Sequence, residues 1–165
     1  MIAKTCVHPI KVNRIINDFV NAASGKMFTI RSSRDDSMNY FVGDNEIIVP
    51  RWRTANYKND IGGKLFRKDF EKRCPLARGF SDVTISILHE IGHRMTDKEI
   101  PRDFRRWEAV KEIEKQAKTT EEKCFLYFSI TDEVLATNWA INWLSNAENR
   151  KTAKAFEKRF WACFE

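Results

Sequence analysis

The stretch His89-Glu90-Ile91-Gly92-His93, inside "ISILHEIGHRMTD", constrains the fold of this chain more than any other feature. Val83, Ile87 and Ile91 recur at helical spacing and give the segment an apolar face for a core. Ser81 stands where an N-cap belongs, so the spacing predicts a helix from about 82 to 95. Positions i and i+4 of a helix lie one turn apart on one face, which puts both histidines on a side that can look into a cleft. Gly92 costs about 1 kcal/mol in a helix interior relative to Ala. That cost makes sense if another segment must approach the backbone there.

His89 and His93 can therefore offer two imidazole nitrogens to a single ion. Glu90 lies about 100° around the helix from His89, able to hold a water near that ion but badly placed to bind it directly. Two ligands and a base on one rod are the mechanical content of H-E-x-x-H. Zn2+ suits the set, because it accepts nitrogen and carboxylate oxygen and keeps a position open for water. The plainer reading is a surface helix that carries two ordinary histidines.

A third ligand must come from elsewhere. The other histidine is His8, just before Pro9, and none follows the motif closely as the metzincin pattern requires. Glu133 in "TDEVLATNWAINWL" fits best, because Ala136 and Ala140 lie on its own face and would let two helices come close. Asp132 points about 100° away from it. Glu108, Glu112 and Glu114 lack small residues one turn on, with Glu108 and Glu112 the alternatives kept open. The plainer reading of Glu133 is an acid facing water near a helix start.

The rest of the chain reads as a single domain spanning 1–165, without repeats or a low-complexity linker. Pro9 to about residue 23 carries an Ile15, Ile16, Phe19, Val20 stripe and reads as a helix stopped by Ser24-Gly25. "KMFTIR", "MNYFV" and "EIIVP" read as strands of a short antiparallel sheet, the last two joined by a Gly43-Asp44-Asn45 turn. Residues 50–80 read as loop with a short helix over 64–73. Pro101 is expected to open a helix to about Lys118, and Thr119 with Glu122 resembles a capping box. One long or kinked helix should follow to about Leu144, and Asn146 should cap a last one. The order makes an α+β domain: N-terminal helix, short sheet, motif helix, then C-terminal helices.

Composition sets limits. Of 165 residues 42% are hydrophobic, with 12 Phe and 5 Trp, a composition that folds. No apolar run approaches the roughly 20 residues that span a bilayer, and no secretory signal is visible, so no membrane role and a cytoplasmic location are expected. Cys6, Cys74, Cys124 and Cys163 are scattered and form no C-x-x-C pair, which argues for thiols packed in the fold. The net charge of +6 comes from 29 Lys+Arg against 23 Asp+Glu, spread along the chain and mostly interleaved with acids. It supports nucleic-acid binding only weakly.

"HEIGH" followed by "EVLATNWAINWL" (Glu133 to Leu144) resembles the ImmA/IrrE family of bacterial and phage zinc metallopeptidases. That family's pattern is H-E-x-G-H and then E-x-x-A-x-x-[FW]-A-x-x-L-L, with Glu133, Ala136, Trp139, Ala140 and Leu144 in register and Trp143 where Leu is usual. The likeness covers about residues 40–145, and the stretch between the motifs is longer here. It implies a small zincin-like fold of the gluzincin type, with His89, His93 and Glu133 as zinc ligands and Glu90 as catalytic base. The expected activity is hydrolysis of peptide bonds in a protein substrate, such as a repressor or other regulatory protein. Tyr57, Tyr127 and Arg94 are candidate oxyanion partners, with plain packing or surface roles the blander reading of each. An exposed "EIIVP" edge could receive an extended substrate by strand addition. Three other readings compete. One is a structural-zinc interaction module binding protein or nucleic acid through Arg51, Arg53, Lys58, Arg102, Arg105 and Arg106. The others are a non-peptide zinc hydrolase and a helical protein without metal.

Overall fold

α1 (Pro9–Ser24) forms where the Ile15, Ile16, Phe19, Val20 stripe predicts it, and all four side chains are buried. The computed structural model describes residues 9–32, 39–41, 45–50 and 61–164. Gly25 ends the helix at φ +65°, a left-handed conformation that glycine adopts without a Cβ penalty. Its N–H donates to the Asn21 carbonyl at 2.9 Å.

The three strands appear at the expected places: β1 (Thr29–Ser32), β2 (Asn39–Phe41) and β3 (Glu46–Val49). Their arrangement differs from the antiparallel sheet expected. The order is β1-β3-β2, and β1 runs parallel to β3 while β2 and β3 form the antiparallel pair. Asn45 at φ 48° supplies the left-handed residue before β3; Gly43 and Asp44 lie outside the described residues. Ile47 and Val49 are fully buried, and this alternation fixes which face of β3 meets the core but not the direction of its neighbours. β3 is central and paired on both sides, so "EIIV" is not the free edge that strand addition requires.

α2 (Ile61–Arg73) begins before residue 64, with Gly62-Gly63 inside its first turn. A 3₁₀ turn over Pro75–Gly79 leads into α3 (Asp82–Thr96), which carries the histidine motif. Ser81 caps α3 as expected, accepting from the Thr84 N–H at 3.4 Å. Val83, Ile87 and Ile91 are buried as the pattern requires. Each buried aliphatic side chain of this size contributes about 1.5–3 kcal/mol.

The helix expected from Pro101 starts later. α4 spans Arg106–Gln116, because Pro101 sits in a turn that closes when the Phe104 N–H donates to its carbonyl at 3.0 Å. The long or kinked helix is two helices, α5 (Thr120–Phe128) and α6 (Thr131–Ser145). They part at Ile130, whose extended backbone (φ −62°, ψ 142°) cannot continue a helix. Thr119 and Glu122 make the capping box, and Asn146 caps α7 (Ala147–Trp161) by accepting from the Glu148 and Asn149 N–H groups. Among the described residues the result is α+β, mostly helical with one small mixed sheet.

α7 packs on α1 through Phe156 stacked on Phe19, ring centres 4.3 Å apart. The Glu157 carboxylate accepts from the Ser81 N–H at 2.5 Å and the Thr84 hydroxyl at 2.7 Å, fastening the start of α3 to α7. Cys74 and Cys163 are buried and Cys124 half-buried, while Cys6 lies outside the described residues. Among the described residues no helix is long and apolar enough to cross a membrane. α3 and α6 share the most extensive packing of any pair of elements, and the candidate site lies between them.

Candidate metal centre

α3 and α6 come close together at Gly92. A Cβ built there would lie 2.3 Å from the Ala136 carbonyl oxygen and 2.8 Å from its Cα. No side chain larger than hydrogen fits, which explains both the glycine in a helix interior and the small residue after Glu133. Ala136 and Ala140 are fully buried on the facing side.

That contact brings three side chains together. Glu133 Oε2 lies 2.9 Å from His89 Nε2, and Glu133 Oε1 lies 3.6 Å from His93 Nε2. One ligand atom from each of the three residues falls within 4.8 Å of the others. His89 and Glu133 are buried, and His93 is nearly so. The histidines are 4.7 Å apart between ring centres and nearly perpendicular, and Phe66 of α2 packs edge-on against His89 at 4.9 Å. The segments meet although 133 − 93 = 40 residues separate them.

The charges of the three are set by one another. Burial alone would raise the Glu133 carboxyl, but hydrogen bonds and charge from His89, His93 and Arg106 hold it well below the usual range. Burial and the neighbouring His89 push His93 down to about 4, which leaves its ring neutral and its lone pair available at neutral pH. Burial opposes protonation of His89, yet the Glu133 carboxylate outweighs it and raises its pKa. An ionised oxygen donor beside neutral imidazole nitrogen is the donor set that a borderline-soft divalent cation such as zinc accepts.

Two further residues were not singled out for this site from sequence. Thr137, one turn after Glu133 and buried, places its hydroxyl 3.2 Å from His89 Nδ1. An ion held on Nε2 would leave the proton on Nδ1, which would then donate to Thr137 Oγ1 and fix the tautomer and orientation of the ring. Arg106, grouped above with the basic surface, instead turns inward from the start of α4. Its guanidinium donates to Glu133 Oε1 at 2.6 Å and also to Asp132 and the Tyr127 hydroxyl.

The remaining candidates separate cleanly. Glu90 is half-buried on α3, and its charge acts on His89, Arg106 and Tyr127, which places it beside the same cluster. Asp132 is buried but bonded to Arg106. Glu108, Glu112 and Glu114 are exposed on α4, with Glu112 engaged by Gln116 and Lys115, and Glu114 by Lys123. Arg94 is paired with Asp97 at 2.8 Å, whereas Tyr127 stands at the cluster through Arg106. Arg102 and Arg105 are exposed; His8, Arg51, Arg53, Tyr57 and Lys58 lie outside the described residues.

Comparison with protein-family models, curated proteins and solved structures finds no match.

Proposed function

We propose that this chain is a zinc-dependent metalloendopeptidase of the ImmA/IrrE kind, with a zincin-like arrangement of motif helix and ligand helix. The observation that carries the reading is the convergence of His89, His93 and Glu133 on one buried point, with Glu90 on the same helix as the histidines. His89 and His93 would hold the ion through ring nitrogen and Glu133 through carboxylate oxygen.

Zinc held there would supply a water with its pKa lowered toward about 7 and a Lewis acid for the scissile carbonyl. Glu90 takes the proton of the attacking water on its carboxylate and passes it to the amine nitrogen that leaves. Phe66 against His89 limits ring motion and keeps one side of the cluster apolar. The substrate is a protein, of which repressors and other regulatory proteins are the favoured class. Because β3 is paired on both sides, pairing with an extended substrate would fall to β1 or β2.

Glu90→Gln tests the reading. The variant is expected to bind one zinc per chain and to lose hydrolysis of a broad peptide library. Undiminished hydrolysis would remove Glu90 from the reaction. Absence of hydrolysis in both proteins, with zinc bound, would favour the structural-zinc interaction module.

A further inference from the structure

The Glu133 carboxylate has two oxygens, and they have different neighbours. Oε2 faces His89 Nε2 at 2.9 Å, while Oε1, 3.6 Å from His93 Nε2, accepts from the Arg106 guanidinium at 2.6 Å. Arg106 is itself held. Another of its nitrogens donates to Asp132, a buried carboxylate whose other oxygen has no partner among the described residues. The nitrogen that binds Glu133 also reaches the Tyr127 hydroxyl, and the guanidinium lies 5.3 Å from the centre of that ring. The planar fork thus spans acceptors on α5 and α6, a task that its rigid donor geometry suits and a lysine ammonium cannot reproduce.

We propose that Arg106 is a positioning residue for the metal centre: it occupies Oε1 of Glu133 and so dedicates Oε2 to the ion. The inference rests on the metal-centre reading given above. Without the guanidinium, Glu133 could turn and offer both oxygens, changing the coordination number. Asp132 anchors the guanidinium and offsets its charge, so the cation can stand beside a ligand to a divalent ion without repelling that ion strongly. A brace that only joined α4 to α6 would have no need to contact the ligand oxygen itself.

The test uses the full chain, loaded with Zn2+ for affinity and with Co2+ for spectroscopy, in wild type, Arg106→Ala and Arg106→Lys. The alanine variant is expected to bind zinc about 10- to 100-fold more weakly, the usual effect of losing a partner of a metal ligand. Its cobalt absorption bands should weaken and shift as coordination expands. Arg106→Lys keeps the cation and carries the test if the alanine variant does not fold. It should show the same spectral change with a smaller loss of affinity. Weakened binding with wild-type cobalt bands would make Arg106 a mere brace and overturn the assignment, as would wild-type affinity and bands in both variants. A wild-type protein that takes up neither metal would remove the centre itself, a distinct result that ends both readings.

Discussion

Gly92→Ala separates helix propensity from helix packing. In an isolated helix the change should stabilise by about 1 kcal/mol. Here the new methyl would lie 2.3 Å from the Ala136 carbonyl oxygen, and restoring an ordinary contact of 3.4 Å requires α3 and α6 to part by about 1 Å. The obstructing atoms are backbone and cannot rotate away. Overpacking of this kind costs about 1–3 kcal/mol, and the rigid neighbour puts the cost at the upper end, for a net loss of about 2 kcal/mol. The same displacement moves Glu133 relative to the two histidines by several times the roughly 0.2 Å tolerance of a metal–ligand distance. Zinc affinity should therefore fall at least about 10-fold. Urea unfolding in the presence of a chelator reads the first effect, and competition with a chromophoric chelator reads the second. Gly79→Ala is the control, since a Cβ there meets only the Lys154 ammonium at 4.0 Å. A Gly92→Ala protein that is as stable as wild type or more so, with unchanged zinc affinity, would refute the packing argument.

Thr137→Val should leave the fold intact and weaken zinc binding by about 10-fold, because His89 Nδ1 loses the oxygen that orients it; chelator competition checks this. The metal-free protein should also show an opposed pH dependence from its two histidines. His93, depressed from 6.5 to about 4, binds a proton more readily when unfolded, so its stability contribution is lost as pH falls through that window. His89, raised above 6.5, contributes fully below 6.5 and loses its contribution as pH rises through the raised value. As far as these groups govern it, stability should peak near pH 6.5, and His93→Asn should remove the decline between 6.5 and about 4, leaving the loss at lower pH that protonation of the depressed Glu133 carboxyl brings. Urea midpoints across pH check the sign, and a decline between pH 6.5 and about 4 that survives in His93→Asn would assign it elsewhere.

Much of the site is legible from the chain because its devices are local. The Ser81 cap, the apolar triplet Val83, Ile87, Ile91 and the histidine spacing define α3 from sequence alone. Glu133 stands out because close helix approach demands small residues, and Ala136 is the partner that Gly92 needs. Arg106 is not legible. Placing the helix start at Pro101 hides its role at the beginning of α4, and nothing local signals that it turns inward to a carboxylate 27 residues away. The parallel pairing of β1 with β3 is hidden for a similar reason. Alternation of Ile47 and Val49 specifies a buried face, whereas the partner strand is chosen by the route of the chain. The break at Ile130 is concealed because no Gly or Pro marks it, although α5 packs chiefly on α2 and α6 on α3.

The most direct test is elemental analysis of protein purified with zinc present, in wild type and in Glu133→Ala. The account requires one zinc per wild-type chain and loss of stoichiometric zinc when the carboxylate is removed. Wild-type protein without stoichiometric metal, or full retention of zinc by Glu133→Ala, would contradict it.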